Sequence, residues 1–184
     1  MTPMTHAGNP PETNGAYTTP MSPTIRPALA TDAAALDRIY DHYVTETAIT
    51  FDVEPWPHGK RTAWLEERAA ANDRVLVATQ DEVVIGFAWT GPFRPKAAYG
   101  TTAELSIYLA PGETGRGTGS RLFGALLAEL PRMNKRLAVG GVTMPNPASR
   151  ALFRRHAFRS VGVLHEVGHK LGRYWDVEWF ERRV

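Results

Sequence analysis

The 184-residue sequence contains no cysteine. That absence removes disulfides, thiolate metal sites and a cysteine acyl-enzyme together, so no thiolate carries any group the protein transfers. No run of about 18 apolar residues occurs, and no membrane-spanning helix is expected. A one-sided charge is also missing: 21 Lys and Arg stand against 19 Asp and Glu, a net +2. The cations are dispersed, which does not point to a nucleic-acid surface. Six histidines are present, but no pair has metal-ligand spacing supported by other ligands, and no metal is predicted. Residues 1–24 hold neither Lys nor Arg and show no apolar periodicity. Rich in Thr and Pro, they read as a disordered N-terminal tail. They fit neither a secretory nor a mitochondrial leader, so a cytoplasmic location is the default expectation. Met21 could serve as an alternative start. The remainder, 25–184, is long enough for one domain with a substantial core, given 43% apolar content.

What is present centres on residues 101–123, TTAELSIYLAPGETGRGTGSRLF. Period-two alternation puts Glu104, Ser106 and Tyr108 on one face of a strand and Leu105, Ile107 and Leu109 on the other. Pro111 and Gly112 end it. Gly115, Gly117 and Gly119 then alternate with Arg116, Thr118 and Ser120 before Leu122, Phe123, Leu126 and Leu127 resume at helical spacing. A glycine-lined helix N-terminus offers unpaired amides and the positive end of the helix dipole, the requirements of a diphosphate seat. The Gly-Lys-Ser/Thr ending of a nucleoside triphosphate loop is absent, and the glycine spacing is wrong for a dinucleotide fingerprint. The alternative is a strand-to-helix turn that binds nothing.

Along the chain, Ile25 to Ala28 suggest an opening strand, and Thr31 a cap for a helix carrying Leu36, Ile39, Tyr40, Tyr43 and Val44. Thr47 to Asp52 form a short β-branched run; its Phe51, with Trp56, is either a pocket wall or core. A second helix covers residues 60–72. Residues 75–78 and 83–89 flank Asp81-Glu82 in a hairpin pattern. Arg94 and Lys96 follow between prolines, where Arg94 is either a bidentate anion fork or a surface cation. Residues 137–143 read as a strand, and a helix follows around Ala148 to Phe153. Asn146 either contacts a peptide-like ligand or caps the turn. Two last strands, 161–164 and 174–180, lie around residues 165–173.

The run from Leu105 to Leu122 resembles the acetyl-CoA-binding motif of the Gcn5-related N-acetyltransferases (GNAT). Four stretches resemble, more narrowly, the phosphinothricin and methionine-sulfone acetyltransferase branch: IYDHY with TAITF, GPFRP with Ala98-Tyr99, TAELSIYL, and VGHKLGR with Asp176-Val177. The resemblance covers nearly everything from Ile25 to Phe180. It implies an α+β (mixed α/β) GNAT fold, a central, mostly antiparallel twisted sheet splayed at the acetyl-CoA-binding strand and flanked by helices. It implies acetyl-CoA as co-substrate, a small-molecule amine as acceptor and a homodimer. The backbones of Ile107, Tyr108 and Leu109 would contact pantetheine, Gly115, Arg116, Gly117, Thr118, Gly119 and Ser120 would cradle the pyrophosphate, and Asn146 and Ser149 would bind further along. Phe51, Arg94, Lys96 and Thr102 would form the amine-substrate site, with Glu104 as general base.

Chemistry supports this independently. A protonated amine needs a proton acceptor before it can attack a thioester, and a carboxylate in a partly desolvated cleft suits that task. Direct attack in a ternary complex is the simplest route without a cysteine. Four positions depart from the family pattern. Phe153 stands where a tyrosine or histidine is usual, Ala157 replaces Gly, Thr114 replaces Gln or Arg, and Gly100 replaces a basic residue. Alternatives are an acetyltransferase for a peptide or polyamine, or an inactive acyl-CoA-binding module.

Overall fold

A computed structural model describes residues 22–184; the expected tail at residues 1–21 lies outside them. Seven strands form one sheet: β1 (Thr24–Pro27), β2 (Val75–Gln80), β3 (Val83–Pro92), β4 (Thr102–Leu109), β5 (Leu137–Thr143), β6 (Arg159–Lys170) and β7 (Arg173–Arg183), in the order β1-β2-β3-β4-β5-β7-β6. Every neighbouring pair is antiparallel except β4 and β5. The Asp81-Glu82 turn has φ of 48° and 63°, the left-handed pair that matches the twist of a tight hairpin.

Strand alternation divides the core. On one face, α1 (Ala33–Glu46) and α2 (Lys60–Ala70) bury Leu36, Ile39, Tyr40, Val44 and Leu65 against Val77 and Phe87. On the other, α3 (Thr118–Glu129) and α4 (Pro147–Arg155) bury Leu122, Phe123, Leu126 and Phe153 against Leu76, Leu105 and Ala138. No helix among the described residues is long and apolar enough to cross a membrane.

Three segments differ from the sequence reading. Thr31 does not cap α1: a 3-10 turn (Ala30–Asp32) precedes it, and Asp32 instead accepts from the Leu29 amide at 2.8 Å and pairs with Arg26 at 2.7 Å. Residues 47–52 form a loop, because the polar groups of Thr50 and Asp52 go to Tyr40 rather than to a neighbouring strand. Strand β6 continues through His165 to Lys170, and only Leu171 and Gly172, with φ of 53° and 75°, turn the chain into β7. A bulge between Leu164 and Gly168 breaks its period; Asp176 accepts from the Glu166 amide at 2.8 Å and bonds His165 at 3.0 Å.

Candidate active site

The site begins where the sheet parts. Strands β4 and β5 pair only at Thr102↔Leu137, Ala103↔Ala138 and Glu104↔Val139, whereas β4 stays paired to β3 through Leu109. Beyond Glu104 one edge of β4 is open. The Ala110 amide donates to Ile85 O at 2.9 Å. The two-residue alternation of an antiparallel ladder then directs the backbone groups of Tyr108 and Ser106 to β3 and those of Ile107 and Leu109 into the split. Tyr43 Oη donates to Leu109 O at 2.6 Å, so the unclaimed groups there are those of Ile107 and the Leu109 amide. Tyr108 is not turned to the split: its ring packs against Tyr40 and Tyr43, centroids 4.9 Å apart in both cases.

The split opens into a cavity of about 330 Å³ lined by Ile107, Leu109, Gly115, Gly117, Gly119, Ser120, Asn146 and Ser149. Eight of the sequence-chosen residues thus meet in one place. Gly117 caps α3 at φ 82° with no side-chain cap, and Gly115 has φ 79°. A Cβ on either would meet nothing within 4 Å, so the space above the helix N-terminus is open and its first amides have no side-chain acceptor. An apolar channel ending at unpaired amides fits a pantetheine arm and its pyrophosphate. Besides Tyr108, two chosen residues do not line it: Arg116 is exposed and pairs with Glu113 at 3.4 Å, and Thr118 is buried at the helix start. Asn146 forms the cap that the sequence offered as one of two alternatives, its Oδ1 accepting from the Ser149 amide at 3.0 Å, and it stands at the cavity wall. Tyr43, Ile49, Thr114 and Arg155 also line the cavity. Helical spacing marks Tyr43 as core, and nothing local in the sequence marks Arg155.

At the other end stands Glu104. Its carboxylate makes no hydrogen bond or ion pair among the described residues, and burial raises its pKa above the ordinary carboxylate value while the Arg94 charge opposes that rise. Arg94 lies over the Phe93 ring at 4.6 Å, and Phe93 meets Tyr99 and Trp179 edge-on at 5.7 and 5.8 Å. Thr102 shares the Glu104 face, two residues earlier on β4. Lys96 is exposed in the β3–β4 connection and makes no such contact.

Residues 47–52 bridge the split. Buried Lys170 of β6 donates to Thr50 O at 2.8 Å and Tyr43 O at 3.2 Å; burial lowers its pKa, with Asp52 opposing. Tyr40 Oη lies 2.7 Å from Thr50 Oγ1 and donates to Asp52 at 3.0 Å; burial raises its pKa to about 12, which keeps it a donor. Phe51 packs on Gly168, where a Cβ would come within 2.1 Å of the ring. Phe51 is thus held by β6 and is not among the residues that line the cavity.

Phe153 packs in an aromatic cluster with Phe123, Phe158 and Phe180, centroids 4.9–5.2 Å from its own for the three contacts. It leaves room only for glycine at position 140, since a Cβ there would sit 2.5 Å from Phe153 Cζ. Gly140→Ala is expected to destabilise the protein by about 1–3 kcal/mol through overpacking; urea unfolding measures it, and an unchanged midpoint would mean the cluster can shift. Among the described residues no cluster of His, Asp and Glu could hold a metal ion.

An opened strand edge leading to a glycine-lined helix start suits a long, phosphorylated donor; the architecture is that of a coenzyme-dependent acyltransferase. The chain belongs to the acetyltransferase (GNAT) family, whose sequence profile matches residues 36–158. It is 42% identical over 161 residues to a phosphinothricin N-acetyltransferase of Streptomyces coelicolor, covering 86% of this chain and 94% of that one. It is 34% identical to an L-methionine sulfoximine/L-methionine sulfone acetyltransferase of Salmonella typhimurium, covering 88% and 94%. A phosphinothricin acetyltransferase of Sinorhizobium meliloti, solved in complex with acetyl-CoA, superposes with a TM-score of 0.86 at 28% identity over 89% of both chains.

Proposed function

We propose that residues 25–184 act as one domain that transfers the acetyl group of acetyl-CoA to the amine of a small amino-acid-like substrate, of the phosphinothricin, methionine sulfone or methionine sulfoximine type. The observation that carries this reading is the parting of β4 from β5 at Glu104, which sets a partly desolvated carboxylate at the closed end of the coenzyme channel. The named relatives favour that substrate class.

In this scheme the substrate ammonium gives one proton to Glu104. The freed lone pair forms the N–C bond to the acetyl carbon, the C–S bond breaks, and its electron pair leaves with sulfur. The second nitrogen proton passes to the thiolate or to solvent. No donor is needed at Phe153, because a thiol with a pKa near 8.5 leaves tolerably as the anion. Backbone amides on the open β4 edge suit the developing oxyanion.

Release of free CoA is measured with phosphinothricin, methionine sulfone, methionine sulfoximine and ordinary amino acids. Release with the first three supports the assignment, and none with any of them overturns it. The buried Phe153 also favours a second reading, an acyl-CoA-binding module without turnover; any amine-dependent release eliminates that. Arg94→Ala is expected to raise the amine KM about tenfold to a hundredfold, the loss of a charge-assisted bond to the substrate acid group. An unchanged KM would return Arg94 to the surface.

A further inference from the structure

Ser120 lines the coenzyme cavity at the first turn of α3, and its hydroxyl does not stand alone. Its Oγ lies 3.0 Å from Nε2 of His156, the residue that ends α4. The imidazole is held in place by its surroundings. Its ring meets Phe123 edge-on at 5.4 Å, its main-chain oxygen accepts from Arg182 of β7 at 2.9 Å, and a Cβ on Gly124 would come within 3.2 Å of Cε1. The ring also borders a separate surface cavity with Leu127, Pro131 and Arg182, and Nδ1 has no hydrogen-bond partner among the described residues.

We infer that His156 is a positioning residue for the donor phosphates: it fixes which way the Ser120 hydroxyl points and adds its own charge to the α3 seat when protonated. The inference rests on the coenzyme occupying this cavity, as proposed above. In the neutral tautomer with its proton on Nδ1, Nε2 accepts the Ser120 proton and only lone pairs face an incoming anion; the other neutral tautomer donates from Nε2 but carries no charge. In imidazolium both nitrogens are donors, so Nε2 donates to Oγ and the hydroxyl proton is freed for the phosphate. Such charge-assisted chains are stronger than neutral ones.

The groups facing the ring set the window. Burial lowers its pKa most, a bond to the Ser120 main chain opposes that, and Arg182 and Arg155 lower it further; no carboxylate figures among these influences. The free enzyme therefore takes up this proton only on the acid side of the ordinary histidine value. A bound anion draws the proton in, and by reciprocity the proton draws in the anion.

Dephospho-CoA is the suitable probe, because its pyrophosphate diester takes up no proton between pH 5.5 and 8. Titration calorimetry of wild type, His156→Gln and His156→Leu, in buffers of different ionisation enthalpy, reads both affinity and proton uptake. Gln can still bond Ser120 but cannot gain charge; Leu can do neither. The wild type is expected to bind on the order of threefold to tenfold tighter at pH 5.5 than at pH 8, with net proton uptake. His156→Gln is expected to show neither the slope nor the uptake, and His156→Leu to bind more weakly throughout. Equal slopes and equal uptake in wild type and His156→Gln would overturn the inference while leaving the coenzyme reading intact. Failure of wild type to bind either dephospho-CoA or CoA would overturn both.

Discussion

Glu104→Gln is expected to lower turnover by about 10²- to 10⁴-fold, the usual contribution of a positioned general base. The substitution preserves shape and removes only the ability to take a proton from the ammonium. Because Glu104 stands at the closed end of the split and the glycine seat at the open end, CoA affinity by calorimetry should stay near the wild-type value. Burial raises the pKa of this carboxyl, so the acid limb of kcat/KM should lie above the ordinary carboxylate range and vanish in the variant. Stability moves the other way. A carboxyl with a raised folded pKa stabilises fully below its unfolded pKa, and that contribution is lost as pH rises through the folded one. At neutral pH the wild type carries the desolvated charge, and the variant should melt at the same or a higher temperature. A wild-type rate at every pH would remove Glu104 as the base.

Arg61→Ala is expected to cost about 3 kcal/mol, the low end for breaking a buried ion pair, and to lower Tm by about 6–12 °C for a chain of this size. Arg61 is only 1% exposed. Its Nε donates to Asp37 at 2.9 Å, and its guanidinium lies 4.1 Å from the Trp56 ring, 4.9 Å from Tyr40 and 5.1 Å from Trp64. Removing it opens a space among three aromatic rings and leaves Asp37 beside Asp41, whose pKa burial and Asp37 already raise. Arg61→Lys keeps the charge but not the flat fork that stacks on the rings, and should recover only part of the loss. Thermal melts decide the matter, and a shift below about 2 °C for Arg61→Ala would show that the rings close over the gap.

These two residues mark what the sequence discloses and what it hides. The position of Glu104 was legible, its role being a proposal: strand alternation assigned its face, and it lies on β4 ahead of the glycine turn and α3 as the pattern put it. Residues 137–143 form the strand read from them, and the Asp81-Glu82 turn lies where the hairpin pattern put it. Arg61 and Lys170 were not legible. A buried cation has the same letters as a surface one, and only the tertiary supply of rings or carbonyls allows it inside. The direction of the Arg116 side chain was not legible either: adjacency in the glycine run says nothing about where a long side chain swings, and here it lies beside Glu113. The second half of β6 escaped because a bulge and two-sided exposure erase the period-two signal on which strand assignment depends.

The glycines at the start of α3 make a seat composed of main chain, and this inverts how it can be damaged. Most binding surfaces fail when an atom is taken away; at Gly115 and Gly117, unlike the Ser120–His156 pair beside them, there is no side chain to delete, and harm comes from gain. Any side chain at position 115 or 117 forces φ near 80° on a residue that resists it and fills the open space with its Cβ. On the proposed reading, recognition at these two positions would be carried by the path of the backbone. A chain can replace most of its letters and keep its backbone path, as the TM-score of 0.86 at 28% identity to a coenzyme-bound structure illustrates.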